Sequence, residues 1–269
     1  MRSQCGMVRA VCYPHSSMHS SCLAALLALL CASVAFSQSP PDHPYYSRLN
    51  TFGLFGEYSN DSSHIALGLS QNRKLLDFGA SYSRRVILNR YIDGQYLAEL
   101  RPIMFESDPV FHETVALTSP LPAKTTSIDQ TAAQVCRSSS ASFTTVYQGV
   151  TYSETDTLAC RRQWTFGEGF SPLGFKANLL PRHRIQPVVT LLGGYMFATR
   201  PIPVADASSA NFTFSVGAGF EWYRSATRSI RAEYRYHHIS NAGTADNPGI
   251  DSQLIQITYA FSHVGYKRR

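Results

Sequence analysis

The amino-acid sequence predicts an all-β protein, an eight-stranded antiparallel transmembrane β-barrel with a long extracellular loop between its third and fourth strands. The composition is aromatic-rich and charge-poor for a soluble protein: 44% of the 269 residues are hydrophobic and 16% are charged, with 15 Tyr and 15 Phe. Eight stretches have strand character, each near the ~9 to 11 residues with which a tilted strand crosses a bilayer. Past the N-terminal leader no segment has the ~18 apolar residues of a membrane helix, so we expect strands to cross the membrane.

The N-terminus has the features of a secretory signal peptide. An arginine-containing, acid-free segment precedes an apolar run, and Ala35 and Ser37 form a small-residue cleavage site. The basic segment is long enough that Met18 is an alternative start, and Cys31 leaves lipidation as a less favoured alternative. We therefore expect a signal peptide (1–37), an N-terminal periplasmic segment or short plug (38–50), the barrel (51–262) and a C-terminal tail (263–269).

Alternation along the strands separates an outer from an inner face. In the sixth stretch Phe212 and Phe214 share one face, and Thr213 and Ser215 share the other. The apolar face must meet lipid and the small polar face must line a narrow lumen. The eight stretches are 52–59, 75–88, 95–105, 164–179, 185–199, 211–223, 229–240 and 251–261.

The connections between these stretches alternate in length, as in an outer-membrane barrel. Long connections belong to the cell exterior and short turns to the periplasm. The long ones are 60–74, 106–163, 200–210 and 241–250, and the short ones are 89–94, 180–184 and 224–228. With both termini periplasmic, the seventh strand runs outward and ends level with the outer leaflet. The segment 106–163 is the expected long extracellular loop, and its runs 142–147 and 150–152 suit an extra hairpin above the membrane.

Charged residues on the inner face are expected to form a buried ion network that fills the narrow barrel, rather than an acid/base site. They are Glu57, Glu99, Arg101, Glu221, Glu233 and Arg235. Removal of the leader takes away two of the 24 basic residues and none of the 18 acids, so the net charge falls to 22 − 18 = +4, which is too mild to indicate a nucleic-acid partner; no basic block or aromatic stacking platform accompanies it. Arg161, Arg162 and Arg200 lie toward the outer rim, where they either bind phosphates or are simply solvated.

One stretch near the C-terminus combines a nucleophile, a base and an acid. His238 and Ser240 stand two apart, so in an extended strand both side chains leave the same face. Asp251 follows a Gly-containing turn and begins the next strand, which can fold back and bring its carboxylate near the imidazole. The parity of these strands puts all three side chains on the lipid-facing surface. His237 faces the lumen and, because adjacent strand positions point apart, it forms no good metal chelate with His238.

The run from His238 to Gly243, His-Ile-Ser-Asn-Ala-Gly, followed by Asn-Pro-Gly-Ile and an acid, resembles the signature of the outer-membrane lipid A 3-O-deacylases. These are small β-barrel esterases of the bacterial cell outer membrane with a His-x-Ser-Asn-Ala-Gly motif. The resemblance implies hydrolysis of the ester-linked acyl chain at the 3 position of lipid A, with Ser240 as nucleophile, His238 as base and Asp251 as acid. The family acid is Glu and lies one residue further from the serine, whereas this chain has Asp251.

An acyl-transfer site also needs donors for the oxyanion. The candidates are Asn247, which matches a family Asn, and the backbone N–H groups of Asn241, Ala242 and Gly243. Ordinary turn chemistry explains the same residues equally well, because Asn, Pro and Gly build tight turns. The resemblance implies lipopolysaccharide in the outer leaflet as partner, and neither a cofactor nor a metal is expected.

Cys136 and Cys160 remain after removal of the leader, and an exported chain can oxidise such a pair to a disulfide. Two unpaired buried thiols are the alternative. For the chain as a whole the alternative to an esterase is a non-catalytic outer-membrane barrel with a structural or adhesion role, which the shortened acid favours. An acyltransferase using the same acyl-enzyme differs only in its acceptor.

Overall fold

The computed structural model describes residues 46–118, 124–131, 133 and 135–263. The expected signal peptide, most of the expected periplasmic segment and most of the C-terminal tail lie outside these residues. No helix in the described part of the chain is long and apolar enough to span a bilayer. The described strands are β1 (Asn50–Ser59), β2 (Lys74–Leu88), β3 (Ile92–Thr118), β4 (Lys124–Thr131), β5 (Ser139–Tyr147), β6 (Val150–Leu179), β7 (Ile185–Ile202), β8 (Ser208–Tyr223), β9 (Arg228–Ser240) and β10 (Ile250–Phe261).

Eight of these ten strands close a ring. Every neighbouring pair is antiparallel, β1 pairs with both β2 and β10, and direct pairing of β3 with β6 completes the circle. The eight predicted stretches fall within β1, β2, β3 and β6 to β10. The predicted barrel class is therefore confirmed, and the strand count differs because β4 and β5 are added outside the ring.

The segment 106–163, predicted as a long loop, is mostly strand. β3 runs on to Thr118 and β6 begins at Val150, and the two remain paired as far as Thr118 and Ser153. β4 adds to the free edge of β3 and β5 to the free edge of β6, which makes a four-stranded extension, here called the outer sheet. The two added strands, β4 and β5, are rich in Ser and Thr and are exposed on both faces. They therefore lack the apolar alternation that marks a strand with one buried face.

Following the topology expected from the sequence, we call the end of the barrel with the connections 60–73, 203–207 and 241–249 the outer end, and the opposite end, with the short turns, the periplasmic end. Residues 46–49 enter the periplasmic end. Arg48 is buried there, donates to the carbonyl of Thr227 and forms a 3.2 Å ion pair with Glu221. This part of the chain thus closes the barrel as a short plug.

The outer surface is apolar and the lumen is polar, as the alternation predicts. In β8 the side chains of Phe212, Phe214 and Val216 are exposed, while those of Thr213 and Ser215 are buried. A closed sheet with this polarity leaves no unpaired strand edge inside a bilayer and presents hydrocarbon to hydrocarbon.

The predicted ion network fills the lumen. Arg101 lies 2.7 Å from both Glu57 and Glu99, and Arg235 lies 2.9 Å from Glu99 and 3.0 Å from Glu233. All five side chains are buried. Paired and hydrogen-bonded charges of this kind are tolerated in a closed interior, and they hold the facing strands at fixed positions.

Candidate functional site

The sequence-predicted site residues lie together at the outer end of β9 and β10, on the outer face of the barrel. His238 pairs directly with Asp251 in the antiparallel register, and Ser240 lies two residues further along β9 on the same face. The register is set by the apolar alternation of both strands, because a slip of one residue would turn the lipid-facing side chains into the lumen. The barrel therefore positions these three side chains.

The carboxylate of Asp251 is held by four donors. Its Oδ1 lies 2.7 Å from Nδ1 of His238 and accepts from the Tyr236 hydroxyl at 2.8 Å. Its Oδ2 accepts from the backbone N–H groups of Ala66 and Leu67 at 2.7 and 2.9 Å. A bond from Nδ1–H to the carboxylate fixes the ring and leaves Nε2 as the acceptor nitrogen. An aspartate is thus long enough to orient His238 in this chain.

The hydroxyl of Ser240 contacts the turn that follows it rather than His238. It accepts from the amide nitrogen of Asn247 at 2.8 Å and from the backbone N–H of Ala242 at 3.2 Å. Among the described contacts, no hydrogen bond joins Ser240 to His238. The two side chains share one face, and a rotation about the Cα–Cβ bond of Ser240 is what would direct the hydroxyl toward the imidazole.

A tight turn carries the backbone donors. The N–H of Thr244 bonds the carbonyl of Asn241 at 3.2 Å, and the two central residues have positive φ, 55° for Ala242 and 79° for Gly243. This geometry is that of a type I′ hairpin turn, and a non-glycine residue at its first central position is strained. The backbone of the turn directs the N–H of Ala242 toward Ser240.

The predicted oxyanion donors therefore separate into two groups. The side chain of Asn247 and the N–H of Ala242 reach the hydroxyl of Ser240. The N–H of Gly243 bonds Oδ1 of Asn241, and the N–H of Asn241 bonds Oδ1 of Asn247, so these two groups stabilise the turn itself.

Sequence reasoning missed the segment 62–70, here called the strap. Ser62 and Ser70 pair with Ser252 and Ile250 at the edge of β10, and the residues between them curl over Asp251. Although Asp251 has the parity of an outward-facing residue, this cover leaves it 0% exposed. Nothing in the sequence of the strap predicts the contact, whereas Tyr236 could have been found by its parity with His238.

An apolar depression lies on the same outer surface, beside the candidate site. Its volume is about 460 Å³, and its lining residues include Tyr96, Leu173, Phe175, Leu191, Gly193 and Phe214. The depression forms where the β6–β7 register shifts between Phe170 and Leu173 and where Gly193 contributes no side chain. Gly193 pairs with Phe214, which in turn pairs with His238, so the backbones of Gly193 and His238 are separated by two strand spacings, ~10 Å along the sheet.

Cys136 and Cys160 form a disulfide with an S–S distance of 2.05 Å. The bond ties the connection after β4 to β6, above the barrel. Among the described residues, no group of three or more His, Cys, Asp or Glu side chains could hold a metal ion.

The closed eight-strand ring, its apolar outer face and its charged lumen define an outer-membrane β-barrel protein. Within that class, residues 132–260 match the family model of the lipid A 3-O-deacylases, PagL. The resemblance seen in the sequence is thereby confirmed for this part of the chain.

Solved structures give more distant similarities. Neisserial surface protein A (NspA) is 10% identical with a TM-score of 0.41, covering 80% of this chain and 97% of that one. LpxR from Salmonella typhimurium is 7% identical with a TM-score of 0.22, covering 78% of this chain and 99% of that one. No curated protein matches the chain in sequence.

Proposed function

We propose that this protein hydrolyses the ester-linked acyl chain at the 3 position of lipid A, with Ser240 as nucleophile, His238 as general base and Asp251 as the orienting acid. The observation that carries the proposal is the 2.7 Å contact between Asp251 and Nδ1 of His238, on the lipid-facing surface and two residues from a serine. Polar side chains in a lipid-facing band are expensive unless they serve a function.

The first half of the reaction acylates the serine. Ser240 rotates from Asn247 toward His238, and its oxygen attacks the acyl carbonyl while Nε2 of His238 takes the hydroxyl proton. Rotation also frees the amide of Asn247 and the N–H of Ala242, which can then donate to the oxyanion. His238 passes its proton to the departing sugar oxygen, and the acyl group stays on Ser240.

The second half repeats these roles with water. His238 takes a proton from water, the hydroxide attacks the acyl-enzyme carbonyl, and collapse of the intermediate releases the fatty acid and restores the Ser240 hydroxyl. Asp251 stabilises the imidazolium in both halves. The apolar depression beginning at Phe214 offers a dry surface for the acyl chain.

The test compares two serines that face opposite sides of the barrel. We expect Ser240→Ala to abolish deacylation of lipid A in outer-membrane preparations, measured by mass spectrometry, and Ser215→Ala to leave it intact. Ser215 is buried in the lumen and bonds His237. Unchanged deacylation in a folded Ser240→Ala variant would overturn the mechanism and leave the non-catalytic barrel as the alternative.

A further inference from the structure

The strap is clamped to the sheet at both ends. On one side the N–H of Ser63 bonds the carbonyl of Asp251 at 3.2 Å. On the other the N–H groups of Leu69 and Ser70 bond the carbonyls of Pro248 and Gly249 at 2.5 and 3.0 Å. The hydroxyl of Ser62 closes the strap on itself by bonding the carbonyl of Ser70 at 3.0 Å. The strap is therefore attached to β10 and to the last residues of the connection that precedes it.

The middle of the strap and the acid determine each other's position. The N–H groups of Ala66 and Leu67 bond Oδ2 of Asp251, and Gly68 packs so closely that a Cβ there would lie 2.5 Å from the backbone nitrogen of Asp251. Hydrogen bonds to a charged acceptor are among the stronger ones in proteins. Displacing the strap would release one oxygen of the carboxylate and free the side chain to turn away from His238.

Three apolar side chains of the strap are exposed. Ile65, Leu67 and Leu69 are 39%, 66% and 55% exposed. The strap covers the outward-facing side chain of Asp251, so it lies on the face of the barrel that the lipid-exposed residues of β10 share. Three apolar side chains at the outer rim, on the lipid-facing side, match outer-leaflet hydrocarbon.

We propose that the strap is a lipid-contacting positioning element. Hydrocarbon against Ile65, Leu67 and Leu69 holds the amides of Ala66 and Leu67 on Asp251, and thereby holds the acid on His238. The site is fully assembled only when the strap lies in a lipid surface. This role rests on the proposed function for its effect on turnover, but the contact between lipid and strap can be tested without turnover.

The first experiment measures amide hydrogen exchange at Ala66 and Leu67 in the full chain reconstituted in phospholipid bilayers, in a Ser240→Ala background that removes turnover. Adding Leu67→Ser and Leu69→Ser is expected to speed exchange at both amides about tenfold, the loss of roughly one hydrogen bond to a charged group. Ile185→Ser, an exposed apolar position at the periplasmic end, is the matched control and should change neither amide. Unchanged exchange in the strap variant would overturn the proposal.

The second experiment measures turnover in the same bilayers with Ser240 present. Leu67→Ser with Leu69→Ser should lower kcat about tenfold with little change in KM, and Leu67→Met with Leu69→Met should restore it, because methionine keeps the apolar contact. In an Asp251→Ala background the serine pair should have no further effect, since the strap acts through that carboxylate. A full additional tenfold loss there would contradict the proposed route.

The two experiments separate the proposals. Equal activity of the wild-type protein and Ser240→Ala would defeat the esterase mechanism, while the exchange measurement would still decide whether lipid holds the strap. Should the double serine variant not fold, Leu67→Ser alone serves the same two measurements with a smaller expected change.

Discussion

Strand β9 carries two histidines side by side, and each has a serine nearby on its own face of the sheet. Inside, Nδ1 of His237 lies 2.6 Å from the hydroxyl of Ser215. Outside, His238 bonds Asp251 and shares its face with Ser240, whose hydroxyl bonds the following turn. The inner serine and histidine are directly hydrogen-bonded, yet the inner pair is buried among paired charges. A short Ser–His distance is therefore not enough to propose a catalytic site, and the proposal for the outer pair rests on its position on the outer face and on the carboxylate of Asp251 at Nδ1 of His238.

The largest expected difference is between the histidines themselves. His238→Ala should lower kcat/KM for lipid A deacylation about 10³-fold or more, comparable to Ser240→Ala, because triad members act as a unit. His237→Ala should leave kcat/KM within about twofold and instead lower the free energy of unfolding by ~1–3 kcal/mol, the cost of an unsatisfied buried partner. Kinetics and denaturant unfolding in detergent measure the two effects. If His237→Ala and His238→Ala lowered kcat/KM equally, the proposal that only the outer histidine takes part in catalysis would be wrong.

The carboxylates give the next contrast. Asp251→Asn keeps the shape but not the charge, and we expect about a 10²-fold loss of kcat/KM because the imidazolium loses its partner. Glu233→Gln inside the barrel should cost stability, since it weakens the ion pairs with Arg231 and Arg235 at 2.6 and 3.0 Å, without lowering the activity of the folded protein. Measuring kcat/KM per folded molecule checks both. A larger kinetic loss for Glu233→Gln would show that the lumen takes part in catalysis.

The third comparison is between two positions on the lipid-facing surface, one inside the apolar depression and one outside it, and its expected effect is smaller. A Cβ at Gly193 would meet only the carbonyl of Leu173, at 3.9 Å, so Gly193→Phe fills the depression without a backbone clash. We expect about a tenfold lower kcat/KM for long acyl chains and little change for short ones. Val189→Phe, on the same face of β7 and outside the depression, is the control. An equal loss for every chain length would argue that the acyl chain lies elsewhere.

The smallest effect on activity is expected for the disulfide. Replacing Cys136 and Cys160 by Ser should lower the free energy of unfolding by about 3 kcal/mol through the loss of loop closure. Activity at low denaturant should stay within about twofold, because neither residue contacts His238, Ser240 or Asp251. Denaturant titration with parallel deacylation assays separates the two quantities. A kinetic loss without a stability change would link the outer sheet to the site.

The faces of the barrel could be predicted from the sequence because bilayer and lumen impose opposite polarity on alternate residues. Phe212, Phe214 and Val216 are sufficient to orient β8, and the same parity directs His237 inward and His238 outward. The proximity of Asp251 to His238 followed from the antiparallel pairing of two strands that are consecutive in the chain and joined by the single connection 241–250. The sequence pattern was therefore enough to predict side-chain positions where the residues lie on one pair of consecutive antiparallel strands.

The rest depended on contacts that no local pattern records. Ala66 and Leu67 reach Asp251 from a separation of 185 and 184 residues, and the donors are backbone groups that any residue could supply. β4 was missed, and β5 was expected only as one strand of an extra hairpin, because strands exposed on both faces show no inside-to-outside alternation. The contact of Ser240 with Asn247 rather than His238 reflects a side-chain rotamer, which sequence does not specify.

The outer sheet and the proposed site lie on different parts of the protein. β3 loses β2 as a neighbour after Ser107, and residues 108–118 continue for about 35 Å of strand at ~3.3 Å per residue, a length similar to the ~30 Å thickness of the hydrocarbon core. This projection extends beyond the barrel, whereas the side chain of Ser240 lies on the barrel's outer face. Under the proposed mechanism, a glycolipid diffusing within the outer leaflet therefore reaches Ser240 laterally, without passing over the barrel's rim or through its interior.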